Sequence, residues 1–293
     1  MDLRELEYDV ADGVATIAFN RPDKMNTGTP RMVGELLQVL DAVDADDDVR
    51  AVILTGRGRA FCAGADLSAG AGTFDYDRHP EAGAVGGERV EGVAAPRDGA
   101  GLVTLRLFDC KKPVISAVNG AAVGMGVTMT LATDIRLAAE SARFGFVFTQ
   151  RGIAPEGAST WFLPRLVGVA QAAEWLYTGR VFGAEEALRG GLVRSVHPDD
   201  QLLDVARELA AEIAAAAPLS VALTRQMLWR MLGAEHPMIA HRADSRAVHA
   251  TGKLPDAMEG VMSFLEKRPA SFTGKVSTEL PDIFPEWDPP EYR

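Results

Sequence analysis

Two short stretches of small residues carry the clearest chemical signal in this sequence. One is Arg59-Ala60-Phe61-Cys62-Ala63-Gly64-Ala65-Asp66-Leu67, and the other is Asn119-Gly120-Ala121-Ala122-Val123-Gly124-Met125-Gly126. Each follows an apolar run of the kind that forms a buried strand, and a helix is expected to start within the second. Small residues permit tight turns and let a ligand approach the backbone. The free N–H groups of a helix start favour negative charge. Brought together, two such turns would offer two N–H donors to a single oxygen atom. That arrangement is an oxyanion hole, in which each donor is typically worth about 3 kcal/mol at the transition state. Taken singly, each stretch also reads as a close-packed turn of an α/β protein. The second is a poor dinucleotide fingerprint, because Gly124-Met125-Gly126 lacks a third glycine at the required spacing.

The other reactive side chains offer less. His79, His197, His236, His241 and His249 show no metal-ligand spacing, so no metal site is expected. His79 lies in a glycine-rich segment from which it could reach a substrate. Cys62 reads as packing rather than as a nucleophile. With Cys110 it makes only two cysteines, expected as free thiols of a reducing compartment.

The elements that must position the two turns follow from periodicity. Residues 5–10 and 14–19 flank Ala11-Asp12-Gly13, a hairpin signal. Met32, Leu36, Leu37, Leu40 and Val43 recur at helical spacing, and Asp46-Asp47-Asp48 ends that helix. Residues 51–56 form a buried strand bounded by glycine. A helix near residues 102–108 and strands at 114–118 and 134–138 continue the alternation to about residue 197. That alternation predicts an α/β body, residues 1–197, with strand-to-helix crossovers. Within it, residues 68–100 carry scattered glycines and read as a flexible insertion, either a lid or a plain surface loop.

From Pro198 the pattern turns helical. Leu202, Ala206, Leu209 and Ile213 mark one face. Leu223, Met227, Leu228 and Met231 mark a helix that starts near Pro218, and Met258, Val261, Met262 and Leu265 mark a third. Residues 198–268 thus form a helical region. Residues 269–293, rich in proline and aromatics, read as an extended tail packed on a surface.

Composition limits the class of function. The chain has 293 residues, 47% hydrophobic and 24% charged, which suits one large domain or one with a helical appendage. Its net charge of -11 argues against a general nucleic-acid footprint. No apolar run approaches the length of a membrane span, and the N-terminus lacks an apolar signal core, so the expected location is cytoplasmic.

Further stretches make the pair of turns recognisable. They are Asn20-Arg21-Pro22 with Met25-Asn26, Ala142-Arg143-Phe144-Gly145, Gly152-Ile153-Ala154-Pro155-Glu156-Gly157, Leu176-Tyr177-Thr178-Gly179, and residues 184–193. Together, over most of residues 3–268, they resemble the crotonase (enoyl-CoA hydratase/isomerase) superfamily. The resemblance implies a ββα spiral followed by a helical trimerisation region, assembled as a homotrimer or a dimer of trimers. It implies an acyl-CoA thioester substrate, coenzyme A being part of that substrate and not a permanent cofactor. The oxyanion-hole amides then belong to Ala65 and Met125. Methionine replaces the usual glycine at the second, which a backbone donor tolerates.

Two departures matter. The resemblance places Thr128 and Phe148 where an ordinary hydratase carries two water-holding glutamates, which puts hydration in doubt. Glu156 stands where some isomerases of the superfamily carry their acid/base, and is the expected catalytic carboxylate. Phe146, Phe148, Trp161 and Phe162 lie near it in sequence and should disfavour its charged form. Alternatively, Glu156 is only a helix N-terminal carboxylate. Asp66 is expected to order its own loop. For coenzyme A, the resemblance implies Lys24 and Met25 at the adenine end and Ala63 and Ala65 flanking the pantetheine arm, with Asp66, Leu67 and Gly124 also among the binding residues. Lys267 or Lys275 would meet a phosphate. The resulting expectation is an enoyl-CoA isomerase with one glutamate, with a hydratase or a non-catalytic acyl-CoA-binding homologue as alternatives.

Overall fold

A computed structural model describes residues 1–77 and 96–292. His79 and most of the glycine-rich stretch therefore lie outside the described residues. Strands β1 (Leu6–Ala11) and β2 (Val14–Phe19) form the expected hairpin. Its turn residues Asp12 and Gly13 both have positive φ, 51° and 78°, the combination that matches the twist of the flanking strands. Helix α1 (Pro30–Ala45) starts on a Thr29 cap, which accepts from the Met32 amide, and buries Met32, Leu36, Val39, Leu40 and Val43. It crosses over to β3 (Ala51–Gly56), which pairs in parallel with β2. A short strand, β4 (Ala60–Cys62), leaves this sheet for a second one.

Helix α2 (Gly99–Asp109) begins inside the stretch read as a flexible insertion, because Asp98 caps it by accepting from the Gly101 amide at 2.6 Å. It leads to β5 (Val114–Val118) and β6 (Ala121–Val123). The single helical turn α3 (Met125–Thr128) follows at once, then β7 (Ile135–Ala139) and β8 (Arg143–Gly145). Helices α4 (Ser159–Val167) and α5 (Val169–Thr178), strand β9 (Val181–Gly183), α6 (Ala184–Arg189) and β10 (Ser195–His197) complete the body. The larger sheet has the order β1-β2-β3-β5-β7-β10, and the smaller has β4-β6-β8-β9.

The C-terminal region is helical as expected: α7 (Leu202–Ala214), α8 (Pro218–Met231), α9 (Pro237–Thr251) and α10 (Pro255–Glu266). Helix α7 buries Leu202, Ala206 and Ala210 against β3 and β5. Among the described residues, the third apolar stripe finds no cover. Met258, Val261 and Leu265 are 68%, 60% and 66% exposed on α10, and Leu228 of α8 is 68% exposed. The tail is extended except for one turn, α11 (Val276–Glu279). Ser277 donates to Asp47 from both its amide and its hydroxyl, and Ile283 is buried beside Leu223 and Ala247. No described helix is long and apolar enough to cross a membrane.

Candidate active site

Strands β4, β6 and β8 are parallel neighbours, so the loops after them leave one edge of the small sheet together. Ala63 to Leu67 follow β4, Gly124 and Met125 follow β6, and Val147 and Phe148 follow β8. All of them line one cavity of about 920 Å³, with Glu156 also in its wall. The topology thus does what the sequence reading required: it joins the two small-residue turns. Their contact is close. A methyl group on Gly126 would lie 1.9 Å from the Cys62 carbonyl oxygen, so only glycine allows the second turn to rest on the first.

The main-chain bonds around Ala65 set its direction. Gly28 donates to the Gly64 carbonyl at 2.8 Å, and Asp66 donates to the Gly28 carbonyl at 3.0 Å. Ala65 lies between these two bonds, in an isolated parallel bridge with Gly28, so its own amide faces the other way. Met125 is the first residue of α3, where an amide has no partner within the helix. Among the described residues, neither amide donates to any acceptor. The Met125 side chain folds over Gly28, where an added methyl would lie 2.2 Å from its sulfur. Methionine at this position therefore becomes wall and leaves its amide unobstructed.

Glu156 enters from the loop before α4. Gly157 and Ala158 both have positive φ, 67° and 51°, which bends the chain sharply after Glu156. Gly157 also passes close to α3: a methyl there would lie 2.9 Å from the Thr128 hydroxyl. The Ser159 amide and hydroxyl donate to the Glu156 carbonyl at 3.1 and 2.6 Å, which fixes the bend. The half-buried carboxyl accepts from the Thr128 hydroxyl at 2.9 Å.

A second carboxyl adjoins it. Asp98, at the head of α2, accepts at 3.1 Å from the amide of Gly157, the residue after Glu156, and lines the same cavity. Burial, and then the Asp98 charge, push the Glu156 carboxyl up to about 8, against the opposing pull of the Thr128 hydroxyl. The sequence reading expected a raised value from aromatic walls. Of those four aromatics only Phe148 lines the cavity; Phe146 stacks on Trp175, and Trp161 and Phe162 pack on Phe108. Asp98 was missed altogether. The one local signal was an aspartate before a glycine-rich helix start, and nothing in it points 58 residues along the chain to Glu156.

The remaining candidates separate cleanly. Asp66 accepts from the Ser68 amide at 3.0 Å and pairs with Arg21 at 3.0 Å, so it orders its own loop. Burial works against its charge, but these bonds hold its carboxyl below the usual range. Cys62 and Cys110 are buried free thiols, each pushed up to about 12 by burial. Lys24, Met25, Lys267 and Lys275 do not line the cavity; Lys24, Lys267 and Lys275 are exposed. No cluster of three or more His, Cys, Asp or Glu side chains among the described residues could hold a metal ion.

The profile of the enoyl-CoA hydratase/isomerase family matches residues 9–275. The chain belongs to this family. An enoyl-CoA hydratase of Alternaria alternata is 39% identical over 264 residues, which are 89% of this chain and 83% of the relative. The 1,2-epoxyphenylacetyl-CoA isomerase of Escherichia coli is 36% identical over 269 residues, 91% of this chain and 97% of that one. Among solved structures, a probable enoyl-CoA hydratase/isomerase from Mycobacterium abscessus superposes with a TM-score of 0.80 at 35% identity. The match covers 92% of this chain and 99% of that one. An enoyl-CoA hydratase from Bacillus anthracis gives 0.81 at 32% identity, covering 93% and 100%. These relatives thus include proteins named hydratase and one named isomerase, and the α/β body with its C-terminal helices is the crotonase fold.

Proposed function

We propose that this enzyme shifts the double bond of a 3-enoyl-CoA to the 2-position, with Glu156 as its single acid/base. The observation that carries the reading is the placement of the Glu156 carboxyl in the cavity wall that holds the two turns with unengaged amides. The thioester carbonyl oxygen would accept from the Ala65 and Met125 amides. Glu156 would then take a proton from C2, and the electrons of that C–H bond would move into a dienolate whose charge rests on the oxygen. Return of the proton at C4 leaves the C2=C3 double bond and restores the carbonyl. No water is consumed and no permanent cofactor is required. Phe148 supports this reading, because a buried phenyl ring replaces a second water-holding carboxylate. The coenzyme A arm would run past Ala63, Asp66, Leu67 and Gly124 toward Lys24 and Met25, with Lys267 or Lys275 available to a phosphate.

Glu156→Gln should keep thioester binding and lose at least about 10²-fold in turnover of a 3-enoyl-CoA. Unchanged turnover would remove the mechanism. Hydration is the second reading, favoured by the relatives named hydratases. It predicts sustained 3-hydroxyacyl-CoA formation from a 2-enoyl-CoA, and that product would displace the isomerase reading. Binding without turnover of either substrate would point to a non-catalytic homologue. We further assign the bare apolar face of α10 to contacts between copies in a homotrimer or a dimer of trimers. Light scattering that returns a monomer at micromolar concentration would exclude this assembly.

A further inference from the structure

We infer that Asp98 is a positioning residue for the proposed proton transfer: two main-chain amides hold it against the Glu156 carboxyl, with which it shares one proton. The inference rests on reading Glu156 as the acid/base. The Asp98 Oδ1 accepts from the Gly101 amide at 2.6 Å and from the Gly157 amide at 3.1 Å. Gly157 is the neighbour of Glu156 in the chain, so both carboxyls are fixed to the same bend. A methyl on Gly101 would lie 2.7 Å from Oδ2, so glycine there leaves the Asp98 carboxyl its place.

The charge environment decides where the shared proton rests. One Asp98 oxygen already accepts from two amides, whereas the Glu156 carboxyl accepts from a single hydroxyl. Two neighbouring carboxyls in one cavity wall cannot both ionise without repulsion, so the proton stays on Glu156. Among the described residues, no nearby cation relieves this. Tyr76, from the segment after β4, is itself raised by burial and by the charges of Asp98 and Glu156. Cys62 of β4 is a neutral buried thiol. Thr128 of α3 supplies one hydroxyl. Arg21 is committed to Glu5 and Asp66. Arg151 lines the cavity, and among the described residues no cation pairs with either carboxyl. Asp98 therefore makes Glu156 a stronger base once ionised, and a rarer one at neutral pH. For a weakly acidic proton beside a thioester carbonyl, base strength favours the reaction.

Asp98→Asn tests this, because the amide oxygen can still accept from Gly101 and Gly157 while the charge is gone. On a 3-enoyl-CoA, kcat/KM of the native enzyme should rise with pH through a midpoint near 8 and level off above it. In D98N the rise should move at least one unit toward acid and the plateau in kcat should fall about tenfold or more, with KM little changed. Carboxyl-13C NMR of glutamate-labelled protein, with Glu156→Gln to assign the signal, reads the same titration without turnover. An identical Glu156 titration in native protein and D98N would overturn the inference even if Glu156→Gln is inactive. So would a native Glu156 that titrates in the ordinary carboxylate range, a measurement that does not need D98N to fold. Retained activity in Glu156→Gln would instead sink the mechanism and leave the titration to judge Asp98 by itself.

Discussion

The two ends of α2 carry opposite solutions to the same problem. At its C-terminus the Arg225 guanidinium donates to the carbonyls of Leu107, Phe108 and Cys110 and pairs with Asp134 at 2.8 Å. Asp134 in turn accepts from the Val114 amide and the Trp229 indole. Arg225 and Asp134 neutralise one another there, and the group ties α8 to the large sheet. At the N-terminus Asp98 satisfies the helix start equally well, yet its neighbour is another carboxyl. A balanced node is an anchor. An unbalanced one holds electrostatic tension, and a group whose proton is easily moved sits at that point.

The largest effect should come from breaking the balanced end. Arg225→Ala strands three carbonyls at and just beyond the helix end and leaves Asp134 without its cation, and should cost about 3–5 kcal/mol of stability. Urea unfolding at fixed protein concentration measures it, and a loss below about 1 kcal/mol would erase the contrast. The unbalanced end should behave in the reverse sense. The ordinary value for a glutamate is 4.5, and the fold raises Glu156 to about 8. The native state therefore keeps a proton that the unfolded chain releases. Between those two values native stability falls as pH rises, by up to about 1.4 kcal/mol per unit. Glu156→Gln cannot ionise, so its stability relative to native should grow across that interval and stay flat below and above it. A difference independent of pH would show that the tension is absent. Thr128→Val should have the smallest effect. It removes the bond that favours the charged carboxyl, so the activity profile should move slightly toward alkaline pH, with a loss of about twofold to tenfold at neutrality. A shift toward acid would reverse the role given to Thr128.

Much of this was legible before the fold was seen, and for definite reasons. The hairpin around Asp12 and Gly13, the Thr29-capped helix and the apolar run of β3 each rest on local chemistry. The two turns stood out because close backbone approach demands small residues, as at Gly126. Glu156 was found through the stretch in which it sits. Asp98 was not, because its partnership is made by α2 returning beside the bend at Gly157, and helix capping explains an aspartate there without further purpose. The apolar stripe of α10 was read correctly as a face, but periodicity says only that a face exists, and among the described residues it stays bare. Nor does a lysine's sequence position tell which surface it shares, so the lysines assigned to coenzyme A fall outside the cavity wall.

The Met125 side chain lies in the wall over Gly28 while its amide stays clear. On the proposed mechanism, mutation at this position cannot delete the donor, since every residue except proline supplies one. Position 125 is thereby released to vary the shape of the acyl chamber while the charge-holding step is inherited intact, so selectivity and chemistry can evolve on separate atoms of one residue.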